Sequence, residues 1–235
     1  MKLAVFDLDG TLLQTGDVDR RCYVQSIAEV FGIRGASTDC RDYTHVTDSG
    51  ITREVVERHQ GRSPTEEELT RVVDRFLELL KVECAGSRSA FEPVPGAMEL
   101  VRRLVMDTDW QVAIATGGWR ASAEFKLTCA EFPRDGIPIA TADDAISREE
   151  IVQRAIDRAA ERYGGNGFTR VVSIGDGVWD VQTARNLDLP FVGIGSHETL
   201  TSIGTEWGAG DFLDHVGFVK MLESATVPST EGSSE

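Results

Sequence analysis

The chain has 235 residues, 41% of them hydrophobic and 27% charged, with a formal net charge of −15. That length can bury one sizeable core, or a core carrying an inserted subdomain, and no apolar run approaches the roughly 20 residues that span a bilayer. The negative charge repels nucleic-acid backbones and small phosphate esters alike, so nucleic-acid binding is not expected and any phosphate site must bring its own cations or a metal.

The N-terminal run Met1-Lys2-Leu3-Ala4-Val5-Phe6 meets Asp7 too soon for a signal peptide and reads as a buried first strand in a cytoplasmic protein. Residues 17–91 carry helical patterns and no convincing strand. Helices are expected over Val18–Phe31 and Ile51–His59, and a third is opened by the capping box Thr65-Glu66-Glu67-Glu68 and runs to about Glu83. Pro93-Val94-Pro95-Gly96 then re-enters the core. From Trp110 onward short apolar runs alternate with helical patterns. Strands are expected at Val112–Ala115, Pro138–Thr141, Val171–Ile174 and Phe191–Ile194, and helices at Trp119–Glu131, at Ser147–Tyr163 and between the last two strands. Such alternation implies βαβ units and a parallel sheet. The expected fold is α/β, a Rossmann-like parallel-sheet core over residues 1–16 and 92–224. A helical cap, 17–91, is inserted after the first strand, and 225–235 form a disordered tail rich in Ser, Pro and Glu. Cys22, Cys40, Cys84 and Cys129 form no C-x-x-C pair, and with no export signal they are expected to be four free thiols.

Four stretches carry chemistry. The first strand ends in Asp7-Leu8-Asp9-Gly10-Thr11-Leu12. Gly10 permits a turn that lets Asp7 and Asp9 share the crevice at the strand's carboxyl end, where two neighbouring carboxylates call for a cation. Mg²⁺ suits a site of few protein ligands plus a substrate phosphate. Thr116, followed by Gly117 and Gly118, ends the Val112–Ala115 strand and offers a hydroxyl and backbone N–H groups to a phosphate oxygen. Ser147 and Glu150 cap the Ser147–Tyr163 helix and put Arg148 in its first turn, against the macrodipole unless an anion lies nearby. Finally Ile174-Gly175-Asp176-Gly177-Val178-Trp179-Asp180 ends another strand in a carboxylate and places a second acid in the following helix. Ligands bind at the carboxyl ends of strands in such sheets, so these stretches converge on one site.

The order of D-x-D-G-T-L, a strand ending in Thr, a basic residue and G-D-x-x-x-D resembles the haloacid dehalogenase-like hydrolase superfamily, in its phosphatase subgroup with a helical cap of the first type. Pro95-Gly96-Ala97 and Thr47-Asp48-Ser49-Gly50-Ile51 resemble the same subgroup. The resemblance implies that Asp7 is a nucleophile and metal ligand. It implies that Asp9 is the general acid/base, with its backbone carbonyl on the metal. Thr116 and Gly117 would hold phosphoryl oxygens, Asp176 would bind Mg²⁺, and Asp180 would hold metal-bound water or Arg148. The third motif usually has lysine. Arginine stands there in this chain, and Lys126 on the preceding helix is the reserve for that cation.

The expected activity is Mg²⁺-dependent hydrolysis of a small phosphorylated metabolite through an aspartyl-phosphate on Asp7, by a monomer or homodimer. A sugar phosphomutase resembling β-phosphoglucomutase would share all four motifs, and a non-catalytic phosphate-binding regulator is the reading of a different class. Arg20, Arg21, His45, Thr47 and Arg53 are the cap residues named for substrate choice.

Overall fold

The computed structural model describes residues 1–164 and 167–229. Its first strand, β1 (Lys2–Phe6), is buried from Leu3 to Phe6. A run apolar on both faces is what a central parallel strand requires. On one side β1 pairs with β2 (Trp110–Ala115) and on the other with β4 (Arg170–Gly175), so that Phe6 lies beside both Ile114 and Ile174. β3 (Ile139–Ala140) flanks β2, while β5 (Phe191–Ile194) and β6 (Gly208–Ala209) extend the sheet beyond β4, giving the order β3-β2-β1-β4-β5-β6 with all pairs parallel. After β3 the chain crosses over to β4, which sets a switch in strand order at β1 and opens a crevice at the carboxyl ends of the central strands.

Alternate residues of β1 serve two layers. Ala4 and Phe6 join Leu100 and Leu104 of α4 (Ala97–Asp107) and Phe218 and Leu222 of α9 (His215–Ser224). Leu3 and Val5 instead meet Ile151, Ala155 and Ala159 of α6 (Arg148–Tyr163). Burial of each of the larger side chains among these, Val, Leu, Ile or Phe, is worth about 1.5–3 kcal/mol. α5 (Arg120–Cys129), α7 (Val178–Asn186) and α8 (His197–Ile203) complete the core.

The inserted segment forms α1 (Gly16–Phe31), α2 (Asp48–Gln60) and α3 (Glu66–Gly86) around a second apolar cluster that includes Ile27, Val56, Val72, Phe76 and Leu80. The expected capping box is present, with Thr65 accepting from Glu68 N and the Glu68 carboxylate accepting from Thr65 N. Trp119 and Cys129 from the α5 segment belong to the same cluster, so the sequence limits 17–91 are not the limits of cap packing. The start of α2 is bound to the core as well. Asp48 N donates to Gly117 O at 2.8 Å, the Asp48 carboxylate accepts from Trp119 N at 3.0 Å, and Thr47 Oγ1 donates to Ile146 O at 2.8 Å.

Two expectations change. Cys84, at the end of α3, and Cys129, at the end of α5, are joined in a disulfide, leaving Cys22 and Cys40 as thiols. Nothing in their separation of 45 residues announces the pair; the packing of α3 on α5 brings them together. Secondly, the chain stays on the core past 225. Ala225 is buried, and Phe191 N donates to Thr226 O at 3.1 Å. The remainder of the expected tail, 230–235, lies outside the described residues. Replacing Cys84 and Cys129 together by serine should lower stability by about 4 kcal/mol if loop-closure entropy governs the bond. Denaturant unfolding with and without reductant measures this, and an unchanged midpoint would refute it. Among the described residues no helix is long and apolar enough to cross a membrane.

Candidate active site

Asp7 follows β1, Thr116 follows β2, and Asp176 follows β4, so register places the three at adjacent strand ends. All three line one cavity of about 870 Å³, together with Asp9, Gly117 and Arg148. The α1 residue Arg20 and Thr47 of the cap line it too. His45 faces an adjoining groove instead. Arg21 pairs with Glu83, and Arg53 lies 3.5 Å from Glu66, both on the cap surface.

Carboxylate oxygens of Asp7, Asp176 and Asp180 lie within 4.8 Å of one another. Burial, and then the nearby Asp180, push Asp7 well above its ordinary value, with Arg148 opposing. The same two causes push Asp176 up to about 7. Asp180 is raised by burial as well, against the pull of Arg148 and of the Gly177 N–H, which it accepts at 3.0 Å. Two buried acids and a half-buried one, all with raised values, form a donor set that gains from a hard divalent cation. Gly10 keeps this cradle open. Its φ is +88°, and a Cβ there would come within 2.2 Å of an Asp176 carboxylate oxygen. Thr11 Oγ1 steadies Asp176 from the same turn at 3.2 Å.

Arg148 is the cation of this cluster. It opens α6 behind the Ser147 cap, with its guanidinium 3.2 Å from Asp7 Oδ1 and 3.2 Å from Asp180 Oδ1. Those anions account for a positive side chain in a first helical turn. Its Nε is buried without a partner, and its guanidinium lies 5.9 Å from the centre of the Trp179 ring. Trp179 in turn packs on Gly177, where a Cβ would meet the ring at 2.1 Å.

Lys126 is placed elsewhere. Fully buried on α5, its Nζ lies 2.7 and 2.6 Å from the two oxygens of Asp9 and 2.6 Å from Asp19 Oδ1. Thr15 Oγ1 donates to the same Asp9 Oδ1. The Asp9 side chain therefore points to this pair and lies outside the Asp7–Asp176–Asp180 group. Burial would lower the lysine's pKa, but Asp19 and Asp9 outweigh it and the ammonium is held charged. Burial also pushes Asp19 up to about 6, with Lys126 opposing and Asp9 adding to the rise. In the sequence Thr11, Thr15, Asp19 and Asp48 carry no role of their own, although Thr11 and Asp48 stand within the motif stretches. A carboxylate one turn into α1 or at the start of α2 is also an ordinary helix-dipole partner, so no local signal separates the two roles.

A doubly wound parallel sheet with carboxylates at two strand ends, a threonine at a third and a partly buried arginine among them forms a crevice whose acid cluster can hold a divalent cation and whose arginine can receive an anion. The model of the haloacid dehalogenase-like hydrolases matches residues 1–188, and the chain belongs to that family. It is 27% identical over 195 residues to a phosphoglycolate phosphatase of Agrobacterium fabrum, covering 82% of this chain and 79% of that protein. A hydrolase from Pseudomonas syringae superposes with a TM-score of 0.66 at 20% identity, covering 96% of this chain and all of that one. CbbY from Rhodobacter sphaeroides, solved as a variant in complex with xylulose-(1,5)bisphosphate, gives 0.65 at 18% identity, with 90% and 95% covered. At these identities the two structures show the shared fold alone.

Proposed function

We propose that this chain is a Mg²⁺-dependent phosphatase that hydrolyses a small phosphate monoester through an aspartyl-phosphate on Asp7. The observation that carries the reading is the buried Asp7 carboxylate, held by Arg148 at 3.2 Å and grouped with Asp176 and Asp180 at the mouth of the sheet. The family membership and the phosphoglycolate phosphatase relative support phosphate chemistry.

In this reading an Asp7 carboxylate oxygen attacks phosphorus, and the bond to the ester oxygen breaks. Asp9 gives its proton to the departing oxygen. Asp9 then takes a proton from a water that attacks the phosphorus of the acyl phosphate, which frees inorganic phosphate and restores Asp7. Thr116 and Gly117 hold phosphoryl oxygens, and Arg148 offers its planar donors to the charge that spreads over them. Asp180 secures Arg148. Asp7, Asp176 and the Asp9 backbone carbonyl would hold Mg²⁺, which supplies positive charge beside the transferring group.

Hydrolysis of p-nitrophenyl phosphate with Mg²⁺, followed by a panel of phosphorylated metabolites that includes phosphoglycolate, tests the proposal. Release of free phosphate is the expected result. Isomerisation of a sugar phosphate without phosphate release would move the chain to the phosphomutases, and binding without turnover would make it a regulator.

The raised carboxylates fix a pH dependence. With Asp176 at about 7 in the absence of metal, a proton competes with the cation at lower pH. Mg²⁺ affinity should fall about tenfold for each pH unit below that value. The sign for stability follows from linkage. A carboxylate whose native value is raised binds its proton more tightly when folded, so the metal-free protein loses stability as pH rises through the ordinary carboxylate range towards about 7. Mg²⁺ should cancel that loss. Calorimetric titration and thermal unfolding across this range check both statements, and pH-independent Mg²⁺ affinity would contradict them.

A further inference from the structure

Lys126 is completely buried, yet it lies outside the phosphoryl-binding group built around Arg148. Its ammonium lies 2.6–2.7 Å from three carboxylate oxygens, two on Asp9 and one on Asp19. Burying a lysine is unfavourable, and a buried ion pair rarely adds stability over well-packed apolar side chains. A merely structural contact between α5 and α1 would be better served by methionine or leucine, the more so because α5 already packs Trp119 and Phe125 against the cap cluster.

The geometry accounts for the charge. Asp9 lines the cavity, and its carboxylate is 18% exposed. A short carboxylate at a strand-end turn has several rotamers open to it. Here Lys126 holds both oxygens, Thr15 donates to one of them, and Asp19 holds the lysine in turn. Asp19 belongs to α1, the first helix of the cap, and Thr15 immediately precedes that helix. The orientation of Asp9 is thus tied to where α1 lies.

We propose that Lys126 is the positioning residue of the acid/base: it fixes the direction of the Asp9 carboxylate and, through Asp19, couples that direction to the first cap helix. The inference rests on the reading of Asp9 as the acid/base and adds to it a lysine that never touches the substrate. Preorganisation of this kind keeps reacting groups within fractions of an ångström of their working geometry.

A double-mutant cycle tests it, with p-nitrophenyl phosphate and Mg²⁺ as the probe. Lys126→Met should lower kcat about 10²-fold while changing KM less than about threefold. In an Asp9→Asn background the same substitution should produce no further loss in kcat, because its effect passes through Asp9. A kcat within about threefold of the parent, or an undiminished loss in the Asp9→Asn background, overturns the proposal. If K126M does not fold, Asp19→Asn carries the test, since it leaves the Lys126–Asp9 contact in place. It should lower kcat about fivefold in the parent and not at all in the Asp9→Asn background, and an unchanged kcat in the parent overturns the proposal. Full activity of Asp9→Asn alone would instead remove the acid/base assignment, a different failure from that of Lys126.

Discussion

Replacing Asp7 by asparagine should lower turnover of p-nitrophenyl phosphate by about 10³-fold or more and, in the absence of metal, should raise the melting temperature. The loss follows from the proposed chemistry, because an amide cannot form the acyl phosphate. The gain in stability follows from the site. Asp7 is 6% exposed, and burial together with Asp180 and Asp176 holds it well above its ordinary value, so its charged form opposes folding. Asparagine keeps the shape and removes the charge, while Asp180 remains as a partner for Arg148. For a chain of this length each kcal/mol of relief corresponds to about 2–4 °C. With saturating Mg²⁺ the difference should shrink, since the cation neutralises the parent site. Such exchange of stability for activity is common where function needs a strained charge distribution. Retained turnover would exclude Asp7 as nucleophile, and a lower melting temperature without metal would exclude the electrostatic account.

Loss of Arg148 should be nearly as damaging. Arg148→Ala is expected to reduce kcat/KM about 10²–10³-fold, the scale of removing one preorganised charge from a transition state. It also leaves Asp7 and Asp180 buried beside each other with their cation gone, a change that costs about 3–5 kcal/mol when one partner of a buried pair is removed. Stability and catalysis are separable through Arg148→Lys. That substitution keeps the charge but not the planar fork that spans Asp7 and Asp180, so it should recover most of the stability and only part of the rate. Inhibition by inorganic phosphate gives a third reading. Arg148→Ala should weaken it more than tenfold, whereas Lys126→Met, acting on Asp9, should shift it less than about twofold. The opposite pattern would assign phosphate binding to Lys126.

Much of the fold was legible in the chain because local rules suffice for it. β1 reads as a strand from its continuous apolar run, α6 as a helix from the alternation of apolar runs and helical patterns after Trp110, and α3 from the Thr65–Glu68 capping box, and each is found as expected. The short β6, Gly208–Ala209, carries too few residues for any periodicity and was not foreseen. The interleaving of helices and strands after Trp110 implies a parallel sheet, and that sheet brings Asp7, Thr116 and Asp176 to adjacent strand ends.

The sequence by itself determined which reactive groups this protein has and on which elements they stand, since spacing along one helix or strand is set by backbone geometry alone. Only the tertiary structure decided which group meets which. Arg148 joins Asp7 and Lys126 joins Asp9 across separations of 141 and 117 residues. Cys84 finds Cys129 for the same reason. Distances between elements are fixed by how their apolar faces pack, through many contacts summed over several clusters, and no local stretch of residues records that sum.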